Sequence, residues 1–377
     1  MKWMRVKAVA RKEFLHVLRD PRSMGMGIGI PIILLLLFGY ALTLDVDRVP
    51  TVVWDQDHSV ESRELIRRLD GSRYLSIVGY VTDYRELAAL IDRSAAMAGF
   101  VVPPGFSRDL LRGRAATVQL IVDGSDANTA SIASGYFDAI VSGYSREVAV
   151  KNAMRRGRAV SSTPIDLRPR VWFNPELQSK NYIVPGLIAV IMMVIAALLT
   201  SLTVAREWET GTMEQLISTP VRAHELIFGK LVPYFTIGML DILIAVLMGV
   251  FLFRVPLRGS VLLVFALGAL YLVGALSMGI LISIITRGQL LASQIAMVTT
   301  YLPAFLLSGF MFDIANMPRV LQFLTHVIPA RYFISIIKGL FLKGVGFSVL
   351  AMDTMFLAIF AAVLLVIANL TFRKRLE

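Results

Sequence analysis

The chain has 377 residues, of which 56% are hydrophobic and only 17% are charged. Soluble proteins are roughly 45–50% apolar and about 25% charged, so the composition excludes an ordinary soluble protein and indicates several membrane spans. The formal net charge is +11, but the basic residues flank apolar segments without any nucleic-acid-binding motif, which excludes a nucleic-acid partner. The sequence has no cysteine, which excludes disulfides and thiolate metal sites.

The N-terminal segment, residues 1–23, has the pattern of an amphipathic helix. Val6, Ala10, Phe14 and Val17 recur at helical spacing, and basic residues occupy other positions. A basic amphipathic helix beside a span is typical of the membrane interface. The pattern therefore predicts a cytoplasmic interfacial helix, with an ordinary cytosolic tail as the alternative.

Residues 24–44 are predicted to form transmembrane helix 1. The uncharged run is about 20 residues long, which is enough to cross a hydrocarbon core of about 30 Å. A cleaved signal peptide has a shorter apolar core and a small-residue cleavage site. The segment is therefore predicted to be a permanent anchor.

Residues 45–180 are predicted to form an α/β domain outside the membrane. The predicted strands are 49–54, 75–80, 97–102, 116–123 and 167–173, and the predicted helices are 59–70, 84–93, 106–112 and 127–156. Ser59 is placed to cap the first of these helices. Strands that alternate with helices indicate a mixed or parallel sheet.

Residues 181–377 contain the predicted transmembrane helices 2–6. The apolar runs are 182–204, 231–253, 260–286, 290–312 and 349–372, and each is long enough to span a membrane. Between the last two, residues 318–346 are apolar but broken by proline and glycine, which predicts a re-entrant helical hairpin with short helices at 320–328 and 331–342. The alternative, a seventh span, would send the basic C-terminus outside.

The predicted fold is therefore an α-helical polytopic membrane protein. It has six transmembrane helices, a re-entrant helical hairpin, and an α/β extracytoplasmic domain inserted after the first span. The basic ends place both termini in the cytoplasm and residues 45–180 outside.

The segment 205–225 lies between predicted spans 2 and 3, at the inner face. It carries Glu207, Glu209 and Glu214, and its apolar residues need something to pack on. A short amphipathic helix with acidic edges suits a groove in a partner protein. A solvated interhelical loop is the alternative.

No segment carries a phosphate-binding P-loop, a zinc-protease motif or a catalytic cluster. The chain itself is therefore predicted to hold no cofactor or metal and to have no catalytic residue. Asp241 lies near the middle of a predicted span, where a carboxylate is a candidate functional group. Pairing with a polar group on a neighbouring helix is the equally plain interpretation of Asp241.

The sequence of residues 206–220, REWETGTMEQLISTP, resembles the coupling segment of type-2 ABC transporter permeases. Residues 307–312, 316–318, 328–333 and 338–344 resemble the C-terminal signature of that family. Residues 53–57, 102–106 and 122–125 resemble the subgroup with a large periplasmic domain after the first span. The resemblance covers the whole chain.

The resemblance implies a half-transporter in the bacterial inner membrane, in which two permease chains, identical or sibling, work with separate ATPase subunits that bind ATP and Mg. It also implies a periplasmic adaptor and an outer-membrane channel as further partners. The residues that it assigns to ATPase coupling are Arg206, Glu207, Glu209, Gly211, Thr212, Glu214, Gln215, Leu216, Thr219 and Pro220.

The predicted function is that of a permease subunit of an ATP-driven exporter that moves a drug-like, lipid-like or other amphipathic solute outward. The rival hypothesis is a membrane-anchored sensor or assembly scaffold whose outer domain binds a ligand or partner. Six spans and a hairpin exceed what an anchor needs, which favours the exporter. The sequence does not identify the substrate or distinguish a homodimer from a heterodimer.

Overall fold

The computed structural model describes residues 3–41, 48–125, 127–155, 173–174 and 178–372. The chain divides into two compact units. The first, called here the helical unit, comprises Met1–Thr43 and Val171–Glu377; the second, called the α/β unit, comprises Leu44–Arg170. The predicted strand at 167–173 lies almost entirely outside the described residues.

The helical unit begins with α1 (Trp3–Arg19), α2 (Pro21–Met24) and α3 (Ile30–Ala41). A five-residue π-helical segment, Gly25–Gly29, joins α2 to α3. The apolar helix Gly25–Ala41 is shorter than the long apolar helices described below. The span predicted over 24–44 is thus present as a helix with a π-helical start, because three glycines and Pro31 disturb its first turns. Its predicted end at 42–44 lies outside the described residues.

The α/β unit has a four-stranded sheet with the order β2-β1-β3-β4. Its strands are β1 (Val49–Asp55), β2 (Leu75–Tyr80), β3 (Ala98–Val102) and β4 (Gln119–Val122). β1 runs parallel to both β2 and β3, and β4 runs antiparallel to β3. All five residues of β3 are buried, as expected for a strand covered on both faces.

Helices cover both faces of this sheet. They are α4 (Val60–Asp70), α5 (Tyr84–Asp92), α6 (Phe106–Arg112) and α7 (Ala127–Arg155). Ser59 caps α4 in a reciprocal pair of hydrogen bonds with Ser62. Phe137 of α7 packs with the α4 side chains against one face, and Leu87 of α5 packs against the other. Leu87 leaves no room for a side chain at position 99, where a Cβ would come within 2.7 Å of it.

The rest of the helical unit contains eight α-helices in the described residues. They are α8 (Ser179–Glu209), α9 (Thr212–Ser218), α10 (Ala223–Leu247), α11 (Val261–Thr286), α12 (Gln289–Leu306), α13 (Arg319–Leu324), α14 (Pro329–Lys338) and α15 (Phe347–Thr371). A π-helical segment, Met248–Leu252, extends α10, and another, Gly339–Lys343, extends α14.

Five helices of the described residues are long and apolar enough to cross a membrane, and a sixth span is reached if one bent pair counts as a span. The five are α8, Ala223–Leu252, α11, α12 and α15. The bent pair, Arg319–Val327 and Pro329–Lys343, turns by 85° at its break. A polytopic helical membrane protein is therefore confirmed.

Three predicted boundaries of the apolar runs were wrong by more than three residues. The run predicted to begin at residue 231 is helical from Ala223. The run predicted to end at residue 204 continues helically to Glu209, so residues 206–209 are the last turn of α8 and not a loop. The run predicted over 290–312 stops at Leu306. Pro303 cannot donate a backbone hydrogen bond there, and Gly309 adopts a left-handed φ of +79°.

α8 is the central helix of its unit, and 89% of its most apolar 18-residue stretch is buried. It is joined to α11 at several levels: Tyr271 Oη donates to the Ala189 carbonyl at 2.9 Å, and Thr200 Oγ1 donates to the Leu276 carbonyl at 2.9 Å. At Gly279 the two backbones nearly touch. A Cβ there would lie 2.1 Å from Thr200 Oγ1 and 2.2 Å from the Ala197 carbonyl oxygen.

We expect Gly279→Ala to destabilise the protein, because the added methyl group must push two helix backbones apart, and overpacking of this kind costs about 1–3 kcal/mol. Thermal unfolding in detergent measures the effect. Gly29→Ala is the matched control, because nothing lies within 4 Å of a Cβ built there. Equal melting temperatures for the two variants would contradict the close contact.

Candidate functional site

The candidate site is built where α8 ends and α9 begins. Gly211 adopts a left-handed φ of +70°, which turns the chain sharply between the two helices. The left-handed region is favourable for glycine and costly for most other residues. Thr212 is the first residue of α9, and Gly211 is its N-cap.

The ten predicted coupling residues divide by exposure. Glu209, Gly211, Glu214, Gln215, Thr219 and Pro220 are exposed, whereas Arg206, Thr212 and Leu216 are half-buried and Glu207 is buried. The exposed set lies along one short stretch, so it can meet a partner. Glu207 is 5% exposed, and it faces the interior of the chain instead.

Glu207 belongs to a charge cluster, defined here as the buried residues Glu13, Glu207 and Lys230 together with the exposed Lys12. Lys230 Nζ donates to Glu13 Oε1 at 2.8 Å, and Lys12 Nζ donates to Glu207 Oε1 at 2.8 Å. Lys230 Nζ also lies 2.9 Å from Glu207 Oε2 as an ion pair without a further hydrogen bond. The cluster thus joins three helices: α1 supplies Lys12 and Glu13, α8 supplies Glu207, and α10 supplies Lys230.

The cluster is balanced, with two cations and two anions at contact distance. Burial by itself would raise the pKa of the Glu13 carboxyl, but Lys230, Lys12 and His16 together outweigh burial and hold that pKa below its usual value. Burial would lower the pKa of Lys12, but its hydrogen bond to Glu207 raises the pKa overall. Ionised partners are therefore favoured on both sides.

α1 is packed onto α10 along its whole length. Its buried residues are Val6, Val9, Glu13 and Val17. The predicted face was wrong in part, because Phe14 is 40% exposed and Ala10 is only half-buried. The structure uses the register that brings Glu13 to Lys230.

Further contacts hold α1 at its middle and at both of its ends. A Cβ at Gly229 would lie 2.7 Å from Val9 Cβ, so only glycine allows this approach of α1 to α10. Near its N-terminal end, Arg5 pairs with Glu225 at 3.6 Å and donates to the Pro220 carbonyl. At the other end, Arg206 contacts His16 and pairs with Asp20 at 3.4 Å.

The start of α12 and the residue Arg287 before it also hold the end of α8 in place. Glu209 accepts a hydrogen bond from the backbone N–H of Gln289 at 2.7 Å, and also one from its side chain. The guanidinium of Arg287 lies 4.9 Å from the centre of the Trp208 ring. These contacts hold the end of α8 while leaving the outer face of α9 exposed.

A cavity of about 280 Å³ lies between α1, α8 and α10. Polar side chains dominate its lining, which comprises Lys12, Glu13, His16, Thr203, Arg206, Glu207, Thr210, Thr212 and Tyr234.

Asp241 lies apart from this region, in α10. It is 3% exposed, and its Oδ1 has no hydrogen-bond partner among the described residues. The polar neighbour proposed as its partner is therefore not found in the part of the chain that the structure describes.

A family model described as ABC-2 family transporter protein matches residues 22–370. The chain belongs to this family. It is 38% identical over 379 residues to the probable multidrug ABC transporter permease YbhS of Escherichia coli K12, covering 100% of this chain and 99% of that protein. It is 31% identical to the probable multidrug ABC transporter permease YbhR, over 92% of each chain, and 28% identical to the inner membrane transport permease YhhJ of the same strain, over 86% of this chain and 85% of that one.

The predicted family is thus confirmed. This ABC-2 chain is the permease subunit of an ABC transporter, and it is a transport protein and not an enzyme. It is a multi-pass membrane protein, in agreement with its apolar helices.

Sequence reasoning missed the other three members of the charge cluster in this ABC-2 permease, Lys12, Glu13 and Lys230. A signal for the two buried ones, Glu13 and Lys230, was present. Lys230 is a lone cation at the start of an apolar run, and Glu13 is a lone acid within a basic helix. A charge in such a place needs a partner of opposite sign, and each of the two could have supplied it for the other.

We expect Lys230→Met to destabilise the helical unit strongly, because Glu13 loses its closest cation and Glu207 loses one of two. Breaking a buried pair costs about 3–5 kcal/mol, mainly from the charge left unpaired. Adding Glu13→Gln to this variant should restore part of the loss, since Glu207 and Lys12 then remain as a neutral pair.

The measurement is thermal unfolding of the purified protein in detergent. Lys7→Met, on the exposed side of α1, is the matched control and should leave the midpoint nearly unchanged. A double variant that is no more stable than Lys230→Met would contradict charge balance as the reason for the cluster.

Proposed function

We propose that the chain is the permease subunit of an ATP-driven exporter in a bacterial inner membrane and that the exposed face of α9 docks the ATPase. The observation that carries this proposal is the arrangement of α9. Met213 is buried and fixes the helix, while Glu214, Gln215, Thr219 and Pro220 remain exposed. A short, supported helix with an acidic edge suits recognition by a groove with basic side chains.

The charge cluster links the proposed docking helix α9 to the ends of α1, α8 and α10, which a docked ATPase could displace. α9 follows α8 after a single sharp turn, and α8 shares the cluster with α1 and α10. A push on α9 would therefore displace the ends of three helices together. An ATPase that contacts α9 differently in its ATP-bound and nucleotide-free states could shift the permease between two conformations, because only differential affinity moves such an equilibrium.

The complex would contain two permease chains, identical or sibling, and two ATPase subunits that hold ATP and Mg. The relatives named as multidrug permeases support an amphipathic solute as the cargo. The α/β unit supports a periplasmic adaptor and an outer-membrane channel as further partners, since it provides a folded body between the first and second apolar helices.

We expect Glu214→Lys to weaken the ATPase complex, because it reverses the charge of an exposed side chain on the docking face. The measurement is co-purification of the tagged chain with its ATPase, followed by ATP hydrolysis. Asp92→Lys, an exposed reversal at the end of α5, is the control and should retain the ATPase. Glu207 is unsuited to this test, because its replacement breaks the charge cluster.

Full recovery of ATPase with Glu214→Lys would remove α9 as the docking face. A wild-type chain that brings down no ATPase would contradict the exporter and favour a sensor or scaffold.

The topology proposed for this function has six spans, with the Gly25–Ala41 helix as the first. The bent pair is then a re-entrant hairpin, both termini are cytoplasmic and residues 45–180 are periplasmic. The 85° bend supports a hairpin, because a straight span would not fold back.

Single cysteines can test this arrangement against a clean background, since the chain has none of its own. We expect Ser125→Cys, Asp313→Cys and Phe347→Cys to react with a membrane-impermeant maleimide from outside, and Ser218→Cys only after permeabilisation. Protection of Phe347→Cys from the outside reagent, with Asp313→Cys reactive, would instead make the bent pair a broken span.

A further inference from the structure

One carboxyl in the helical unit is buried without any counter-charge in the described residues. Asp241 forms no ion pair there, and its Oδ1 has no hydrogen-bond partner. It lines a cavity of about 10 Å³, which is room for roughly one water molecule. The other lining residues are Pro31, Ile32, Leu35, Ile188, Ile191, Met192, Ile244, Ala245 and Met248, all apolar.

A lone carboxylate in such a place is costly. Burying an ionised group without a partner is so unfavourable that the group becomes neutral or acquires a counter-charge. Within membrane spans, carboxylates mark pathways and ligand sites for this reason. Asp241 therefore needs either a proton or a positively charged partner, and the described residues do not supply such a partner.

The lining argues against a metal ion. Calcium and magnesium take about six to eight oxygen ligands, and here the lining offers one carboxylate among hydrocarbon side chains. No group of three or more histidine, aspartate or glutamate residues among the described residues could hold a metal. An organic cation has no such requirement, because its own hydrocarbon body replaces the missing ligands.

We propose that Asp241 is the charge-recognition residue of a binding site for lipophilic organic cations. This proposal rests on the proposed export function and names a substrate class for it. A typical ligand site is mostly apolar with a small number of well-placed polar groups, and this lining has that composition. Met192 and Met248 suit ligands of varied shape, since methionine side chains are unbranched and polarizable.

The cavity is too small for an organic cation unless one wall moves, and two of its walls adjoin or contain π-helical segments. Leu35 belongs to α3, which the π-helical segment Gly25–Gly29 precedes, and Met248 begins the π-helical segment that extends α10. Such segments are frequent at functional sites. A Cβ at Gly25 or Gly29 would meet nothing within 4 Å, whereas one at Gly27 would lie 3.3 Å from Ile237, so only one side of the segment is open.

The far end of α3 is held more firmly. A Cβ at Gly39 would lie 2.4 Å from the ring of Phe253, and Tyr40 packs against the same ring at 5.1 Å between centroids. In the proposed site, entry of a ligand between α3, α8 and α10 would displace the start of α3 rather than its Gly39 end.

The test is equilibrium binding of radiolabelled tetraphenylphosphonium to the purified full-length chain in lipid nanodiscs. We expect Asp241→Asn, which keeps the shape and removes the charge, to bind this cation at least 10-fold more weakly than the wild type. Asp353→Asn, which removes a carboxyl of the apolar helix α15 outside the cavity, should bind as the wild type does. Triphenylphosphine oxide, a neutral probe with the same aromatic groups, should bind both chains equally.

Three outcomes would overturn the proposal: no binding of the cation to the wild type, equal binding to Asp241→Asn, or equal weakening for the neutral probe. The melting temperature of Asp241→Asn should not fall below that of the wild type, since a desolvated charge is removed, and this shows that lost binding is not unfolding.

Co-purification of the ATPase separates this proposal from the proposed function. Asp241→Asn should retain the ATPase. Loss of cation binding with the ATPase retained supports both proposals. A wild-type chain that binds the cation through Asp241 but recruits no ATPase would contradict the proposed export function and support the proposed binding site.

Discussion

The contact between Lys230 and Glu13 is the interaction on which the inner end of the helical unit depends. Each of these groups would be an unpaired buried charge without the other, and such a charge costs far more than an unmade surface contact. Because Glu13 is in α1, this helix is part of the fold and not a tail. Glu207 ties the end of α8 to the same pair, so the place where α9 begins is fixed by electrostatics as well as by packing.

The elements that repeat a simple pattern could be predicted from the sequence. α8, α10 and α11 each contain a long apolar run because a hydrocarbon environment demands it. The strands of the α/β unit alternate with helices, and Ser59 marks the start of the first of them. The charge cluster could not be predicted in the same way. Lys230 and Glu13 are 217 residues apart in the chain, and no periodicity relates positions on different helices. The last turn of α8 was missed because Arg206–Glu209 is polar and ends the apolar signal before the helix ends.

The register of α1 illustrates the same limit. Apolar spacing pointed to Phe14, whereas the structure buries Glu13 beside it. From hydrophobicity alone, Phe14 is expected to be more buried than Glu13. Glu13 is the buried residue because Lys230 on α10 pairs with it. The ten predicted coupling residues divide for a related reason: sequence placed Glu207 with Glu209 and Glu214, but successive helical positions face different ways, and the one that faces inward meets a cation.

The meeting of α8 and α11 at Gly279 determines how these two helices can move. Sliding either one along the other by a residue would bring a side chain to a point where only a hydrogen atom fits. Translation is therefore blocked, and the hydrogen bonds from Tyr271 and Thr200 join the same two helices. We expect α8 and α11 to move as one rigid pair, so a displacement of Glu209 at the end of α8 would be carried into α11 as well.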